Sequence, residues 1–350
     1  MINQIGQYFP GHDRLFSFLL CAVLSSCYSC TQHYSLPEPV TNNAVAALLK
    51  DARPMLYSFY GLDSTKRWSG VHKRVYRLDI KAGISHQIGN VPDEHGRLAS
   101  AASAIKNRAY VAGGYAILGN GKEKSSNHLF IFNPETEQFT TGAKLPVPID
   151  DQMQSVWRDS LLYVISGWSD SVTVNTVQLY YPIDDQWQLA TALPDEHTAT
   201  VFGGCALIVG DTIYTLGGAM FGKFYPPSRG FYKGAIDPRD PAHVTWLRGT
   251  DYPGEFRYRS AAYASGNTIY FFGGSHDTYN YNGISYREKK PVVPNQTVLS
   301  YDIRTGMFSV KLNSQPAMDL RNIPSAMGKF WIVGGMGKKQ KVSRSVMEVR

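Results

Sequence analysis

Cysteine is scarce in this 350-residue chain, which has four, at positions 21, 27, 30 and 205. Thiols so few and so unevenly spread exclude a disulfide framework. Long apolar runs are missing too. The one run of note, Leu15–Val23, is too short to cross a bilayer comfortably. No stretch sustains a 3.6-residue apolar period, so helix should be scarce. Charged residues make up only 18%, with a net charge of +7, and no basic-aromatic ribbon of the kind nucleic acid needs is present. Serines abound, yet none sits in a G-x-S-x-G turn, which argues against a nucleophilic triad. His276 and Asp277 adjoin, but no second ligand lies at zinc-like spacing, so no metal is expected, and no cofactor.

What the chain does have is one hairpin written six times. Ser260–Ser275 reads as a small-residue strand, a Gly-Asn turn and a strand of good β formers ending in a glycine pair. Its second strand recurs as Leu56–Gly61, Ala109–Gly114, Leu162–Gly167, Ile213–Gly218, Ile269–Gly274 and Phe330–Gly335, with last glycines 51 to 61 residues apart. A turn precedes each copy, at Lys50-Asp51, Lys106-Asn107, Arg158-Asp159, Gly210-Asp211, Gly266-Asn267 and Gly328-Lys329. A third strand follows each, and a fourth carries Phe139, Trp187, Trp246 or Phe308 in four units. Four strands per unit at a period near fifty is the pattern of a β-propeller, and the chain resembles the kelch family over roughly residues 34–350. The expected fold is all-β, a six-bladed kelch propeller. The last unit stops without a fourth strand, so Thr31–Ser35 is expected to supply it and leave no open sheet edge. Residues 27–350 then form a single domain and act as a monomer.

Residues 1–26 read as a signal peptide. Leu15–Val23 has the length of its apolar core, and Leu24-Ser25-Ser26-Cys27 resembles the bacterial lipobox. That resemblance implies cleavage before Cys27, acylation of its thiol, and an exported lipoprotein in the periplasm or outer membrane, held to the membrane by its lipid. The alternative is ordinary secretion. Cys205, in a small-residue run, reads as a buried packing residue.

Topology decides which residues can meet. In a four-stranded blade, the loop into the first strand and the loop between strands two and three lie at one end of the ring, around a central mouth where ligands commonly bind. The entry loops bring Arg97, Arg257, Arg259 and Arg321, together with Asp151, Glu196 and His197. Guanidinium groups there either bond backbone carbonyls of an adjacent blade or converge on a ligand carboxylate. Arg97 and Arg257 precede their second glycines by the same number of residues and should occupy equivalent places, with Arg321 a looser match. The long loops after the glycines add Trp68, Trp168, Tyr279, Tyr281 and Tyr286, with His276 among them. Aromatic faces beside amides and hydroxyls suit a sugar; alternatively these loops fold over each other as a lid.

Two exported kelch families bear comparison. Galactose oxidase needs a Tyr–Cys crosslink, and neither Cys30 nor Cys205 falls on a mouth loop. The nearer resemblance is to bacterial N-acetylneuraminate epimerase, a sialic acid mutarotase. It rests on the N-terminal Leu-Pro, the Y-x-x-x-G-L of the first blade with Trp68 soon after, and the run Arg97–Gly114. That resemblance implies an acidic sugar as ligand and a Glu directly after a strand-two glycine as proton acceptor. The matching positions here are Leu62, Tyr115, Trp168, Ala219, Ser275 and Met336, none acidic. If the site does transfer protons, as a mutarotase or epimerase would, Asp151, Glu196, His197 and His276 are the candidate groups. The expectation is therefore a propeller binding a saccharide, with a protein-interaction scaffold at the cell envelope as the alternative.

Overall fold

In a computed structural model of the protein, which describes residues 34–349, every strand lies in or beside one of six antiparallel sheets. The expected signal peptide, Cys27 and Thr31–His33 lie outside the described residues. Blade one is Ala44–Lys50, Arg53–Phe59, Arg74–Asp79 and Ile84–Asn90; blade two is Leu98–Ile105, Arg108–Ile117, Leu129–Asn133 and Gln138–Thr141. Blade three is Met153–Trp157, Leu161–Ser169, Val172–Tyr181 and Gln186–Ala190. Blade four is Cys205–Val209, Thr212–Leu216, Phe231–Asp237 and Asp240–Arg248, and blade five is Ala261–Ser265, Thr268–Phe272, Thr297–Asp302 and Met307–Leu312. Blade six joins Ser325–Ala326, Lys329–Val333 and Ser345–Glu348 to Tyr34–Ser35, whose register is Tyr34 opposite Val346 and Ser35 opposite Ser345. The first described residues thus supply the last blade's missing strand. Helix among the described residues is limited to two 3-10 turns, Trp68–Gly70 and Lys338–Gln340.

The near-continuous apolar runs have a direct cause. Successive side chains of a strand point to opposite faces, and here both faces are covered by a neighbouring blade. Met55, Tyr57 and Phe59 pack with Val111, Phe130 and Phe132 of blade two, while Leu56 between them packs with Trp331 and Val333 of blade six. Tyr163 and Ile165 face blade four, whereas Leu162 and Val164 face blade two. Six such clusters, one per junction, make up most of the core. Cys205 is a buried free thiol in the junction between blades four and five.

Tight hairpin turns fall where expected in four units. In blades one and six the left-handed pairs are one residue away, at Asp51-Ala52 and Met327-Gly328. Turn side chains also stitch blade to blade. Asn107 Oδ1 accepts from the Leu49 amide (2.7 Å), Asp159 from the Lys106 amide (2.9 Å), and Asp211 from the Trp157 indole (2.8 Å).

At the opposite end of the hairpin the closing glycines, paired in every blade except blades one and three, bring the backbones of neighbouring blades together. The last glycine's amide donates to an entry-loop carbonyl of the next blade: Gly61 to Arg97, Gly114 to Ile149, Gly218 to Arg257, Gly274 to Ala317 and Gly335 to Val40, at 2.7 to 3.2 Å. The last of these closes the ring. Blade three substitutes a side chain, with Ser166 Oγ donating to the Val201 carbonyl at 2.8 Å. At Gly273, φ is +70° and a Cβ would sit 2.5 Å from the Ala317 carbonyl oxygen. Gly210 in the blade-four turn has φ +59° but open space around it. Gly273→Ala is therefore expected to cost about 2–4 kcal/mol, combining left-handed strain with a backbone clash, and Gly210→Ala only about 1–2 kcal/mol from strain. Urea denaturation of the two variants checks this; equal losses would show that inter-blade approach is not what selects the glycine.

Candidate functional site at the propeller mouth

One residue per blade turns inward at the mouth in the left-handed conformation: Asn42, Ala99, Asp151, Gly203, Arg259 and Asp319, with φ between 48° and 64°. Their backbones bond in sequence around the axis. The Asp151 amide donates to the Ala99 carbonyl (3.2 Å), Gly203 to Asp151 (2.7 Å) and Arg259 to Gly203 (2.7 Å). Four charged side chains meet inside this ring. Arg259 donates to both carboxylate oxygens of Asp151, at 2.7 Å from Nη2 and 3.2 Å from Nε. It lies 3.4 Å from Asp319, whose other oxygen accepts Thr41 Oγ1–H at 2.8 Å. Arg321 donates to Asp151 and to Asn42 Oδ1. The Arg259–Asp151 pair spans from blade five to blade three, and blade four lets it pass by having no side chain at Gly203. A Cβ there would come 2.5 Å from the Tyr258 ring.

Burial alone would raise Asp151, but the Arg259 and Arg321 guanidinium groups outweigh it and hold the carboxyl below the usual range. Two of the four arginines that the sequence offers to a ligand carboxylate, Arg259 and Arg321, thus already have this chain's own Asp151 and Asp319. The acidic ligand expected from the sequence loses its cationic partners on this account.

The mouth itself is partly filled. The blade-five loop, 275–294, folds in over the ring, with Tyr279 fully buried against Tyr258 (centroids 5.1 Å apart) and near the Arg259 guanidinium (5.3 Å). The blade-four loop, 219–230, packs on it through Tyr225 and Tyr286 (4.8 Å) and a Thr278 hydroxyl that donates to the Phe224 carbonyl (3.2 Å). What stays open is a cavity of about 110 Å³ displaced toward blades two to four, lined by Tyr115, Glu123, Asp150, Asp151, Trp168, Asp170, Phe202, Tyr225, Arg259 and Tyr286.

Of the residues singled out from sequence, Asp151, Trp168, Arg259 and Tyr286 line this cavity, and Arg321 lies beneath it in the charged cluster. Arg97 and Arg257 do occupy equivalent places, but both serve the backbone. Each reaches the carbonyl of its own blade's first glycine, Gly113 and Gly273. Arg97 is further held by Asp93, and Arg257 by Thr297. The equivalent of Arg97 in blade six is Ala317, not Arg321, because both Arg97 and Ala317 sit two residues before the left-handed position. Trp68 is 54% exposed on the blade-one loop, and Tyr281 packs with Leu62, Leu98 and Tyr115. Glu196 accepts from Tyr232 Oη (2.8 Å) at the surface, His197 contacts the Phe221 carbonyl (2.9 Å), and His276 is exposed; none lines the cavity.

Sequence reasoning missed Glu123 and Phe202. Glu123 belongs to a short strand, Glu123–Ser125, that pairs back onto Tyr115–Ile117. Its available signal was the Asn120-Gly121 turn followed by alternating Glu123, Lys124 and Ser125, which sends 123 and 125 to one face. Ser125 Oγ–H donates to Asp150 Oδ2 while accepting from the Asp170 amide (2.8 Å), so this strand organises the acidic wall.

Burial, then the neighbouring Asp151 charge, pushes the Asp150 carboxyl well above the usual range. The folded protein therefore holds this proton more tightly than the unfolded chain does. The stability it contributes is complete below the ordinary carboxyl range and is lost as pH rises through the folded value. Asp150→Asn cannot ionise and removes that loss. Melting temperatures of the two proteins should converge in acid and separate toward neutral pH, with the variant higher. Parallel curves would show that Asp150 is not held protonated.

A family model described as the Kelch motif matches residues 96–146, which is blade two with its entry loop and exit. The solved structure of YjhT superposes with a TM-score of 0.70 at 15% sequence identity, covering 90% of this chain and 99% of that one. At that identity the likeness bears on the fold. With six four-stranded blades, a ring closed by Tyr34–Ser35 and these two matches, the chain is a six-bladed kelch-type β-propeller.

Proposed function

We propose that this propeller binds a saccharide in the mouth cavity and works as an exported protein held to a membrane by a lipid on Cys27. The observation that carries the binding reading is the cavity wall. Trp168, Phe202, Tyr225 and Tyr286 form a contiguous aromatic surface, with Trp168 5.4 Å from Phe202 and 5.5 Å from Tyr225, beside the polar groups of Glu123, Asp150 and Tyr115. A pyranose presents an apolar ring face and a fringe of hydroxyls, and this wall offers a complement to each. Proton transfer at the same cavity, as in anomer exchange, is a second reading. It is favoured by Glu123, which burial holds above the ordinary carboxyl range, and by Asp150, likewise raised.

Calorimetry with a panel of monosaccharides is expected to find at least one binder, and Trp168→Ala is expected to weaken it by tenfold or more without unfolding the protein. Absence of binding across neutral, acidic and amino sugars would remove the saccharide reading in favour of a protein-interaction scaffold. If the site also transfers protons, exchange NMR on the binder will show anomer interconversion above the buffer rate, slowed by Glu123→Gln; no acceleration removes the enzymatic reading. The export reading rests on Leu15–Val23 and Leu24-Ser25-Ser26-Cys27. Expressed in a bacterial host, the full chain should fractionate with membranes, and Cys27→Ser should release it to the soluble fraction. Identical fractionation of both would overturn the anchor.

A further inference from the structure

The chain carries a net charge of +7, yet carboxyl groups outnumber guanidinium groups in the wall of the mouth cavity. Four carboxyl groups line it, those of Glu123, Asp150, Asp151 and Asp170, against one guanidinium, that of Arg259. Arg259 and Arg321 are matched by Asp151 and Asp319 in the buried cluster, where all four side chains are 4% exposed or less. That subset is neutral as a group. Glu123, Asp150 and Asp170 remain with no cation paired to them among the described residues. The lysines that flank Glu123, Lys122 and Lys124, are exposed and do not line the cavity.

Two further observations point to a ligand. Tyr115 is only 5% exposed and lines the cavity, and its hydroxyl has no hydrogen-bond partner among the described residues. The rest of the wall is largely aromatic (Trp168, Phe202, Tyr225 and Tyr286). Ring faces are the negative end of the aromatic quadrupole and attract a positive group brought against them. Unpaired carboxyls and aromatic rings lining one cavity together favour a positive group there, with Arg259 the one cation already in the wall.

We propose that the ligand carries an ammonium group, and that the saccharide of the reading above is an amino sugar with a free amine. The sugar comes from that reading; the ammonium comes from the unpaired carboxyls of the cavity wall. The amine sits among Glu123, Asp150 and Asp170, and the sugar ring lies against Trp168 and Tyr225. An ammonium beside Asp150 and Glu123 favours their ionised forms, which burial opposes. Binding therefore releases protons, and affinity rises with pH until the amine itself loses its charge.

The test is calorimetry of the full chain with glucosamine, N-acetylglucosamine, glucose, N-acetylneuraminic acid and tetramethylammonium. Glucosamine should bind at least tenfold tighter than N-acetylglucosamine or glucose. Its heat should change between buffers of different ionisation enthalpy in the sense of proton release. Glu123→Gln, at a residue that keeps solvent contact although its carboxyl end is desolvated in the cavity, should weaken glucosamine fivefold or more at an unchanged melting temperature; Asp150→Asn should weaken it likewise at neutral pH while melting higher than the parent protein. Glucosamine no tighter than N-acetylglucosamine, or N-acetylneuraminic acid tightest of all, overturns the ammonium inference and leaves the saccharide reading standing. Tetramethylammonium binding where no sugar binds supports the ammonium and overturns the saccharide. Binding by none of the five overturns both.

Discussion

The hydrogen bond from the amide of a blade's closing glycine to an entry-loop carbonyl of the next blade is the contact on which the architecture turns. It requires two backbones to approach with no Cβ between them, and it recurs at every junction except that of blade three, where Ser166 makes the equivalent bond through its hydroxyl. Because the acceptor lies two residues before the inward-turning left-handed residue, the same bond fixes where each blade delivers a side chain to the mouth. The spacing of glycine pairs along the chain is thereby converted into the placement of Asn42, Ala99, Asp151, Gly203, Arg259 and Asp319 around one axis. Register at the periphery and chemistry at the centre share a cause.

Those six positions show how a symmetric scaffold is made asymmetric. Two of them are small, Ala99 and Gly203, and the other four are polar or charged. The small ones leave room for Arg259 to cross to Asp151. Removing one partner from a buried pair of this kind typically costs about 3–5 kcal/mol, because the survivor is left charged without water. Blades one, three, five and six are thus tied through side chains at the axis as well as through neighbouring sheets. The arginines of the entry loops divide accordingly. Arg97 and Arg257 hold backbone, Arg259 and Arg321 hold carboxylates of this chain, and none is left over for an anion.

The fold was legible in the sequence because each blade repeats the same local demands. Strand formers, a polar turn and a glycine pair recur whatever the blade does at its mouth, and an unpaired last blade beside a leading Leu-Pro pointed to the closing strand. The one-residue errors at Asp51-Ala52 and Met327-Gly328 arose because Ala and Met carry no signal for a left-handed backbone; only the ladder register forces it on them. The site was legible only in part. Topology assigned loops to the mouth correctly, and Asp151, Trp168, Arg259 and Tyr286 do line the cavity. Which groups would neutralise each other there was not visible, since Asp151 and Arg259 are 108 residues apart and no spacing rule links blades three and five.

The least legible feature decides the chemistry. A long loop rich in Tyr and Asn reads equally well as a binding surface or as a lid, and sequence has no term for how far it folds inward. Here Tyr279 goes to full burial over Tyr258, so the loop covers the mouth at the axis and the mouth cavity is left on the side of blades two to four. That displacement moves the open volume away from Asp319 and Arg321 and onto the wall made by Glu123, Asp150 and Asp170. Had the cavity stayed on the axis, a ligand would meet a neutral cluster of two arginines and two aspartates. Off the axis, it meets carboxyls beside aromatic rings, so the groups the cavity offers are set by where the loop comes to rest.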